Sequence, residues 1–137
     1  IVEWARIVRG AALAQLGRRT EGIADMRTSI ERQEAMGSAL ERPCCLTLLA
    51  EALLAEGDAA QALQLCDQAL DLGTRTDSLD FQPETHRLRA LATRALGDPD
   101  ERVSAEFDVA QRLARTAGCV LLERRVDASR SALSGMA

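Results

Sequence analysis

Apolar residues recur along this chain at steps of three and four, which is the spacing of one face of an α-helix. The clearest stretch spans 59–72, with polar residues on the opposite face and Asp58 in the N-cap position. Its apolar members are Ala59, Ala62, Leu63, Cys66, Ala69, Leu70 and Leu72. A second stripe follows Pro43, a residue that suits a first helical turn because its missing N–H costs nothing there. That stripe contains Leu46, Leu49, Ala50, Leu53 and Leu54.

Glycines divide the chain into helices. Seven of the nine stand just past an apolar periodic stretch, where left-handed backbone commonly ends a helix, namely Gly17, Gly37, Gly57, Gly73, Gly97, Gly118 and Gly135. The helices predicted from these stops span 2–16, 20–36, 43–56, 59–72, 83–96, 101–117 and 119–133. Short connections follow the first, third and fifth helices, so each of these is expected to form an antiparallel hairpin with the next. Longer loops are expected at 37–42 and 73–82.

The glycines that end helices recur at a fixed interval. Gly17, Gly57 and Gly97 are 40 residues apart, and Pro43 and Pro83 have the same separation. A period in this range indicates a stacked array of helical repeats. The predicted repeats span 3–42, 43–82 and 83–118, followed by a helix at 119–133 that covers the open apolar end.

Two further glycines lie inside predicted helices. Gly10 aligns with Ala50 and Ala90 at the 40-residue period, and Gly22 aligns with Ala62. Because glycine inside a helix costs about 1 kcal/mol relative to alanine, a packing reason is expected. These positions are predicted to be places where two helix backbones approach closely.

The composition favours helices over β-structure. Of the 137 residues 47% are apolar but only 2% aromatic, with no tyrosine, and strong helix formers dominate. The chain is therefore predicted to be one all-α domain over 1–137. It opens inside an apparent helix without an initiator methionine, so we expect it to be a fragment of a longer protein.

Charge and hydropathy limit the classes of partner that this chain is expected to bind. The net charge is −4, and acidic and basic residues are interspersed without a polybasic run, which argues against nucleic acid as a direct partner. No stretch reaches transmembrane length and no signal peptide is visible, so a cytoplasmic protein without membrane contact is predicted.

The sequence offers little catalytic chemistry. Cys44, Cys45, Cys66 and Cys119 contain no C-x-x-C pair, so buried structural thiols are expected rather than a metal or redox site. The single histidine, His86, has no serine or cysteine nucleophile at a matching helical offset. No enzyme activity, cofactor or metal is predicted.

The hairpin pattern resembles the tetratricopeptide (TPR) repeat, and the second repeat matches it best. Gly57-Asp58 matches the turn of the TPR hairpin, and Cys66 stands where that family usually has an aromatic residue. The other matching positions are Leu46, Leu49, Ala50, Leu53, Ala62, Leu63, Ala69 and Leu70. The third repeat carries one extra residue after its turn and departs from the family pattern at Arg89 and Thr93. The resemblance implies a right-handed superhelix of three hairpins with a C-terminal capping helix.

The 40-residue period exceeds the 34 residues of a TPR repeat. Longer repeats of this kind resemble the C-terminal region of bacterial multidomain signalling ATPases linked to adenylate/guanylate cyclase or DNA-binding domains. The segments ALQLCDQAL and PETHRLRALATRALGDP carry this likeness, and no G-x-x-x-x-G-K-[ST] motif is present. The resemblance implies a protein–protein interaction or regulatory scaffold module, whose partner is a protein, a peptide or another domain of the same chain. A module that senses a small molecule in its groove is the alternative.

The resemblance also implies which residues face the concave groove, because such arrays present the first helix of each hairpin there. These positions are Trp4, Ile7, Ala11, Gln15, Cys44, Thr47, Glu51, Ala55, Glu84, Arg87, Leu91 and Arg94. The candidate binding residues among them are Thr47, Glu51, Glu84, Arg87 and Arg94. Arg87 and Arg94 are seven residues apart on one helical face and are predicted to clamp a carboxylate or an acidic peptide. The alternative is a solvated face whose arginines pair with nearby Asp and Glu residues of the same chain. The acidic stretch Asp71, Asp77 and Asp80 beside the 73–82 loop offers such partners.

Self-association is expected through the N-terminal end. Ile1, Val2, Trp4, Ile7 and Val8 open the chain with no preceding helix to cover them. A repeat array exposes apolar surface wherever a neighbouring repeat is missing.

Overall fold

A computed structural model describes residues 2–38 and 41–135, with the side chain of Val2 outside that description. Over these ranges the chain forms seven helices and no strand, which confirms the all-α prediction. The helices are α1 (Val2–Gln15), α2 (Arg19–Ala35), α3 (Arg42–Ala55), α4 (Ala59–Thr76), α5 (Gln82–Ala95), α6 (Asp100–Thr116) and α7 (Val120–Ser134).

The predicted helix boundaries are confirmed to within one or two residues, except at the end of α4. Gly57 shows why a glycine marks the stops, because its φ of 93° lies in the left-handed region that side chains disfavour. Gly73 is different and the predicted stop there is wrong. It lies inside α4, which continues to Thr76 and ends at Asp77 with φ 55°.

The lack of space for a side chain explains the glycine at position 73. A Cβ atom there would lie 2.8 Å from the carbonyl oxygen of Ser78, where the chain folds back past the helix. The same residue type therefore serves a close approach in one place and a left-handed turn in another. As a result, the loop after α4 spans only 77–81 rather than 73–82.

Helix contacts follow a regular order. The pairs α1–α2, α3–α4 and α5–α6 pack together, and connections of three or four residues make each pair antiparallel. The odd-numbered helices also contact one another in sequence, α1 with α3, α3 with α5, and α5 with α7. The even-numbered helices of the described chain have no close backbone contact with one another. The odd-numbered helices therefore form a continuous layer.

The C-terminal helix packs over the third hairpin. It contacts α6 and α5 in the same way as α5 contacts α4 and α3. Val126, 1% exposed, joins a small core cluster with Ala90, Val103, Phe107 and Ala110. The third hairpin differs by one residue from the 40-residue period, because α6 starts at Asp100 whereas α2 and α4 start at 19 and 59. This confirms the extra residue predicted after the turn.

The helices of the first hairpin approach as closely as predicted. A Cβ atom on Gly10 would lie 2.7 Å from the carbonyl oxygen of Gly22, and one on Gly22 would overlap the carbonyl of Gly10. The aligned alanines Ala50, Ala62 and Ala90 are 1% exposed or less. A small residue at these positions therefore lets backbone pack against backbone in the first hairpin.

This close approach predicts a large response to one added methyl group. We expect Gly22→Ala to lower the free energy of unfolding by about 1–3 kcal/mol, the usual cost of overpacking, although alanine is the better helix former. Urea denaturation followed by circular dichroism measures the change. Thr28→Ala on the exposed side of α2 is the matched control, with an expected change within about 0.5 kcal/mol. Undiminished stability of Gly22→Ala would contradict the close approach.

Candidate functional site

A groove runs along the layer of odd-numbered helices. It consists of two adjoining cavities of about 300 and 250 Å³, which share Gln15, Leu48, Glu51 and Arg125. The remaining lining residues are Ala11, Ala14, Arg19, Ala52, Ala55, Asp80, Phe81, Glu84 and Leu122. We call this surface the central groove. Its walls come from α1, α3, α5 and α7, so every predicted repeat contributes to it.

A buried arginine anchors the charges of the central groove. The Arg87 side chain is only 7% exposed and binds Glu84 in a bidentate pair, with Nε 2.9 Å from Oε2 and Nη2 2.7 Å from Oε1. Its Nη2 also donates to Glu51 Oε2 at 3.2 Å, and its Nη1 donates to Ser129 Oγ at 2.9 Å. One guanidinium group thereby joins α3, α5 and α7.

A second arginine completes the network from the solvent side. Arg125 on α7 lies with Nη2 2.7 Å from Glu51 Oε2 and Nε 3.3 Å from Glu84 Oε1. Its side chain is 51% exposed, whereas those of Glu84 and Glu51 are 12% and 27% exposed. The two carboxylates are therefore held between a buried and an open guanidinium. We call Glu51, Glu84, Arg87 and Arg125 the groove network.

The groove network keeps its buried arginine charged. Burial alone would lower the pKa of Arg87, but the hydrogen bonds and negative charge of Glu84, followed by those of Glu51, raise this pKa above its usual value. A charge-assisted bidentate pair of this kind fixes geometry as well as charge. The network thus sets the positions of the polar groups on the groove floor.

The structure brings together three of the five candidate binding residues. Glu51 and Glu84 line the central groove, and Arg87 lies beneath them. Arg94 does not join them, since it lines a separate cavity and pairs with Asp100 at 2.5 Å. The predicted clamp of Arg87 with Arg94 is therefore wrong, because the donors of Arg87 are already bound to Glu84, Glu51 and Ser129.

The alternative interpretation, in which these arginines pair with acidic residues of the same chain, describes the observed contacts, although their partners are not the aspartates beside the loop. Asp71 pairs with Arg75 one helical turn away, at 2.9 Å. The partners of Arg87 come instead from its own helix and from α3. Pairing is therefore intramolecular for both arginines, with glutamates for Arg87 and with Asp100 for Arg94.

Thr47 lies in the core rather than in the central groove. It is 1% exposed, donates to the carbonyl oxygen of Pro43 at 2.8 Å and lies 2.8 Å from Thr85 Oγ1. Leu48, the next residue, lines the groove in its place. Helix α3 is buried on most of its sides, so its apolar pattern does not distinguish the side that stays open. Ile7, another predicted groove position, is likewise fully buried.

Sequence reasoning missed the contribution of α7 to the groove. Arg125 and Leu122 both line it, and Ser129 binds the buried Arg87. A terminal helix interpreted as a cap gives no reason to expect groove residues. The three-residue connection from α6 to α7 is as short as those inside the hairpins, whereas α3 and α5 follow connections of six and five residues, so the spacing gave no sign of this role.

His86 belongs to a second polar cluster, which joins α4, α5 and α6. Its Nδ1 lies 2.9 Å from Glu106 Oε2, and Arg89 Nη1 lies 2.6 Å from Glu106 Oε1. Arg89 also pairs with Asp67 at 2.9 Å. Burial opposes ionisation of Glu106, but the hydrogen bond from His86 and the charge of Arg89 leave its pKa below the usual value. The departure from the repeat pattern at Arg89 therefore forms an interhelical ion pair.

Three of the four cysteines, Cys44, Cys45 and Cys66, are poor nucleophiles and poor ligands, because burial raises the pKa of each thiol. Cys45 and Cys66 are fully buried. Burial, aided by neighbouring acidic groups, raises the pKa of Cys44 and of Cys66 to about 12, so both stay protonated. Within residues 2–38 and 41–135, no three His, Cys, Asp or Glu side chains are grouped as a metal site. No helix of that same part combines the length and the apolar character needed to cross a membrane.

The chain matches no model of a known protein family, no curated protein and no solved structure.

The groove network predicts that two arginines of one helix differ in their effect on stability. Arg87→Met leaves two partly buried carboxylates short of a partner, so we expect the free energy of unfolding to fall by about 3 kcal/mol. Arg94→Met removes an exposed ion pair and should cost about 0–1 kcal/mol. Urea denaturation of both variants at neutral pH measures the difference. Equal losses would show that Arg87 is not the anchor of the network.

Proposed function

We propose that this chain is a TPR-like repeat module that binds a protein or peptide segment in its central groove. The observation that carries the proposal is a continuous groove to which every odd-numbered helix contributes. The order of helix contacts supports stacked hairpins, since each first helix packs on the next one. The right-handed superhelix is part of the proposal and rests on the resemblance to TPR repeats. Such arrays use the layer of first helices as a binding surface.

The lining of the central groove suits a segment with both apolar and polar groups. Leu48, Phe81 and Leu122 supply apolar contacts, while Glu51 and Arg125 present charges of opposite sign to solvent. Because the charges are held by the groove network before any partner arrives, binding requires little reordering of side chains. A pre-ordered mixed surface of this kind favours recognition of one extended segment.

The proposed setting is a larger cytoplasmic signalling protein of bacteria, of the cyclase-linked or transcription-regulator-linked type. This part of the proposal rests on the long repeats and on the segments that resemble that group. In that setting the module acts as a regulatory scaffold, and its partner is another protein or another domain of the same chain. It requires no catalytic residue, cofactor, metal, nucleic acid or membrane contact.

A small-molecule sensor is the second candidate function. Glu51, Glu84 and Arg125 converge where the two cavities of the groove meet, and convergent polar groups on an apolar surface are typical of ligand pockets. A compact ligand would contact only that point. An extended segment would also contact Ala11 and Ala55 farther along the groove.

Peptide selection separates these candidates. We expect peptides chosen from a random displayed library against the whole chain to bind the central groove, and Leu48→Asp to weaken them about tenfold, equivalent to 1.4 kcal/mol. Leu79→Asp is the matched control, because Leu79 is 48% exposed and lies outside the groove. Calorimetric titration measures both affinities. Failure to select any peptide, or equal binding by the two variants, would contradict the interaction module.

Self-association through the N-terminal end stays a prediction, with a smaller surface than the sequence indicated. Trp4 and Val8 are 38% and 47% exposed on α1, whereas Ile7 is buried. Ile1 and the side chain of Val2 lie outside the described residues. We expect sedimentation velocity at rising concentration to show association that Trp4→Glu weakens and Leu96→Glu, at the far side of the third hairpin, does not. A concentration-independent monomer would contradict this prediction.

A further inference from the structure

A third cavity lies apart from the central groove, at the other end of the third hairpin. It has a volume of about 310 Å³ and shares no lining residue with the groove. Its walls are the last turn of α5, the first two turns of α6 and the last turns of α7. We call it the α5–α7 pocket. Its size is at the lower end of the range for ligand sites, about 300–1,000 Å³.

The floor of the α5–α7 pocket is apolar. Phe107 and Val103 line it and are 2% and 5% exposed, so they are held firmly by the core cluster behind them. Leu133 on α7 packs against the same cluster and closes one side. Such a floor accommodates a hydrocarbon group.

Two arginines stand on the walls above this floor. Arg130 lies with its guanidinium carbon 5.9 Å from the centre of the Phe107 ring, and its Nη2 donates to Ser104 Oγ at 2.6 Å. This stacked and hydrogen-bonded arrangement fixes the cation. Arg94 approaches from the last turn of α5, with Nη1 2.5 Å from Asp100 Oδ1.

The carboxylates that now pair with these arginines are exposed. Asp100 is 88% exposed, and Asp108, which lies 2.7 Å from Arg130 Nη1, is 63% exposed. Exposed ion pairs contribute little to stability, so another anion can replace either carboxylate at low cost. An anion that also buries a hydrocarbon group on Phe107 gains free energy that neither aspartate supplies.

The geometry points to the α5–α7 pocket as a binding site for a small amphipathic carboxylate. The carboxylate group pairs with Arg94 and Arg130, and its short alkyl or aryl body covers Val103, Phe107 and Leu133. A fully polar anion such as inorganic phosphate has no hydrocarbon group to remove from water in this pocket. An uncharged hydrocarbon gains no ion pair with the two arginines. The site is independent of the central groove and therefore of the proposed peptide binding.

Titration with hexanoate tests the assignment. In the whole isotope-labelled chain, we expect hexanoate to shift the nuclear magnetic resonance signals of Val103, Phe107 and Leu133 in a saturable way. Acetate, which lacks the hydrocarbon, and 1-hexanol, which lacks the charge, should each bind at least about threefold more weakly. Equal binding of hexanol and hexanoate would overturn the assignment. So would shifts centred on Leu48 and Leu122 of the central groove.

Two variants with opposite expected effects sharpen the test. Arg94→Gln removes one cation and should weaken hexanoate by about threefold or more, whereas Asp100→Asn removes the competing carboxylate and should strengthen it. Arg102→Gln is the matched control, because Arg102 lies on the same turn of α6, pairs with Asp98 and does not line the pocket. Unchanged affinity in both test variants, or a loss in Asp100→Asn, would overturn the proposal. All three substitutions fall at exposed or half-exposed side chains, so the variants are expected to fold.

Discussion

The arrangement of the whole chain depends on how closely two helix backbones can approach within a hairpin. Gly10 and Gly22 place carbonyl groups where a Cβ atom would otherwise stand, and Ala50, Ala62 and Ala90 take aligned positions in later repeats. Close approach brings the larger side chains on either side into contact and sets the angle at which the next helix can pack. Small residues therefore recur at this contact from α1 to α5, while α6 carries Val103 at the corresponding position.

The polar side chains follow a different rule from the apolar ones. Small and apolar positions repeat, but the groove network and the cluster around His86 occur once each in the described chain. Both clusters belong to the second and third hairpins and α7, and in the cluster around His86 the residue Arg89 stands where the repeat pattern would place an apolar residue. Charge pairs are directional and need specific partners, so they distinguish one repeat from another. Because these charge pairs differ from repeat to repeat, the central groove has a definite arrangement of polar groups.

Local rules account for most of what the sequence predicted correctly. Helix ends follow from the backbone preference of single residues such as Gly57, so they can be found without knowing the fold. Gly73 was misassigned because the reason for a glycine there lies in Ser78 and the returning chain.

The candidate site was harder to predict, because its residues are brought together by contacts between distant parts of the chain. The groove side of α3 cannot be identified from its own residues, because neighbours bury nearly all of it, and Thr47 was chosen where Leu48 faces the groove. Arg87 finds Glu51 and Ser129 at separations of 36 and 42 residues. Those pairings depend on how hairpins stack, which helical periodicity does not encode.

The contact between Arg125 and Glu51 crosses 74 residues and joins two helices that are not immediate neighbours in the array. A simple repeat array has only nearest-neighbour coupling, so its terminal helix frays independently of the rest. Here α7 is connected through side chains to both α3 and α5, so its detachment would break contacts with a helix of the second hairpin as well as with the third. Detachment of α7 would therefore leave Glu51 without Arg125 and Arg87 without Ser129, so a change at the C-terminal end would alter the polar groups in the middle of the groove.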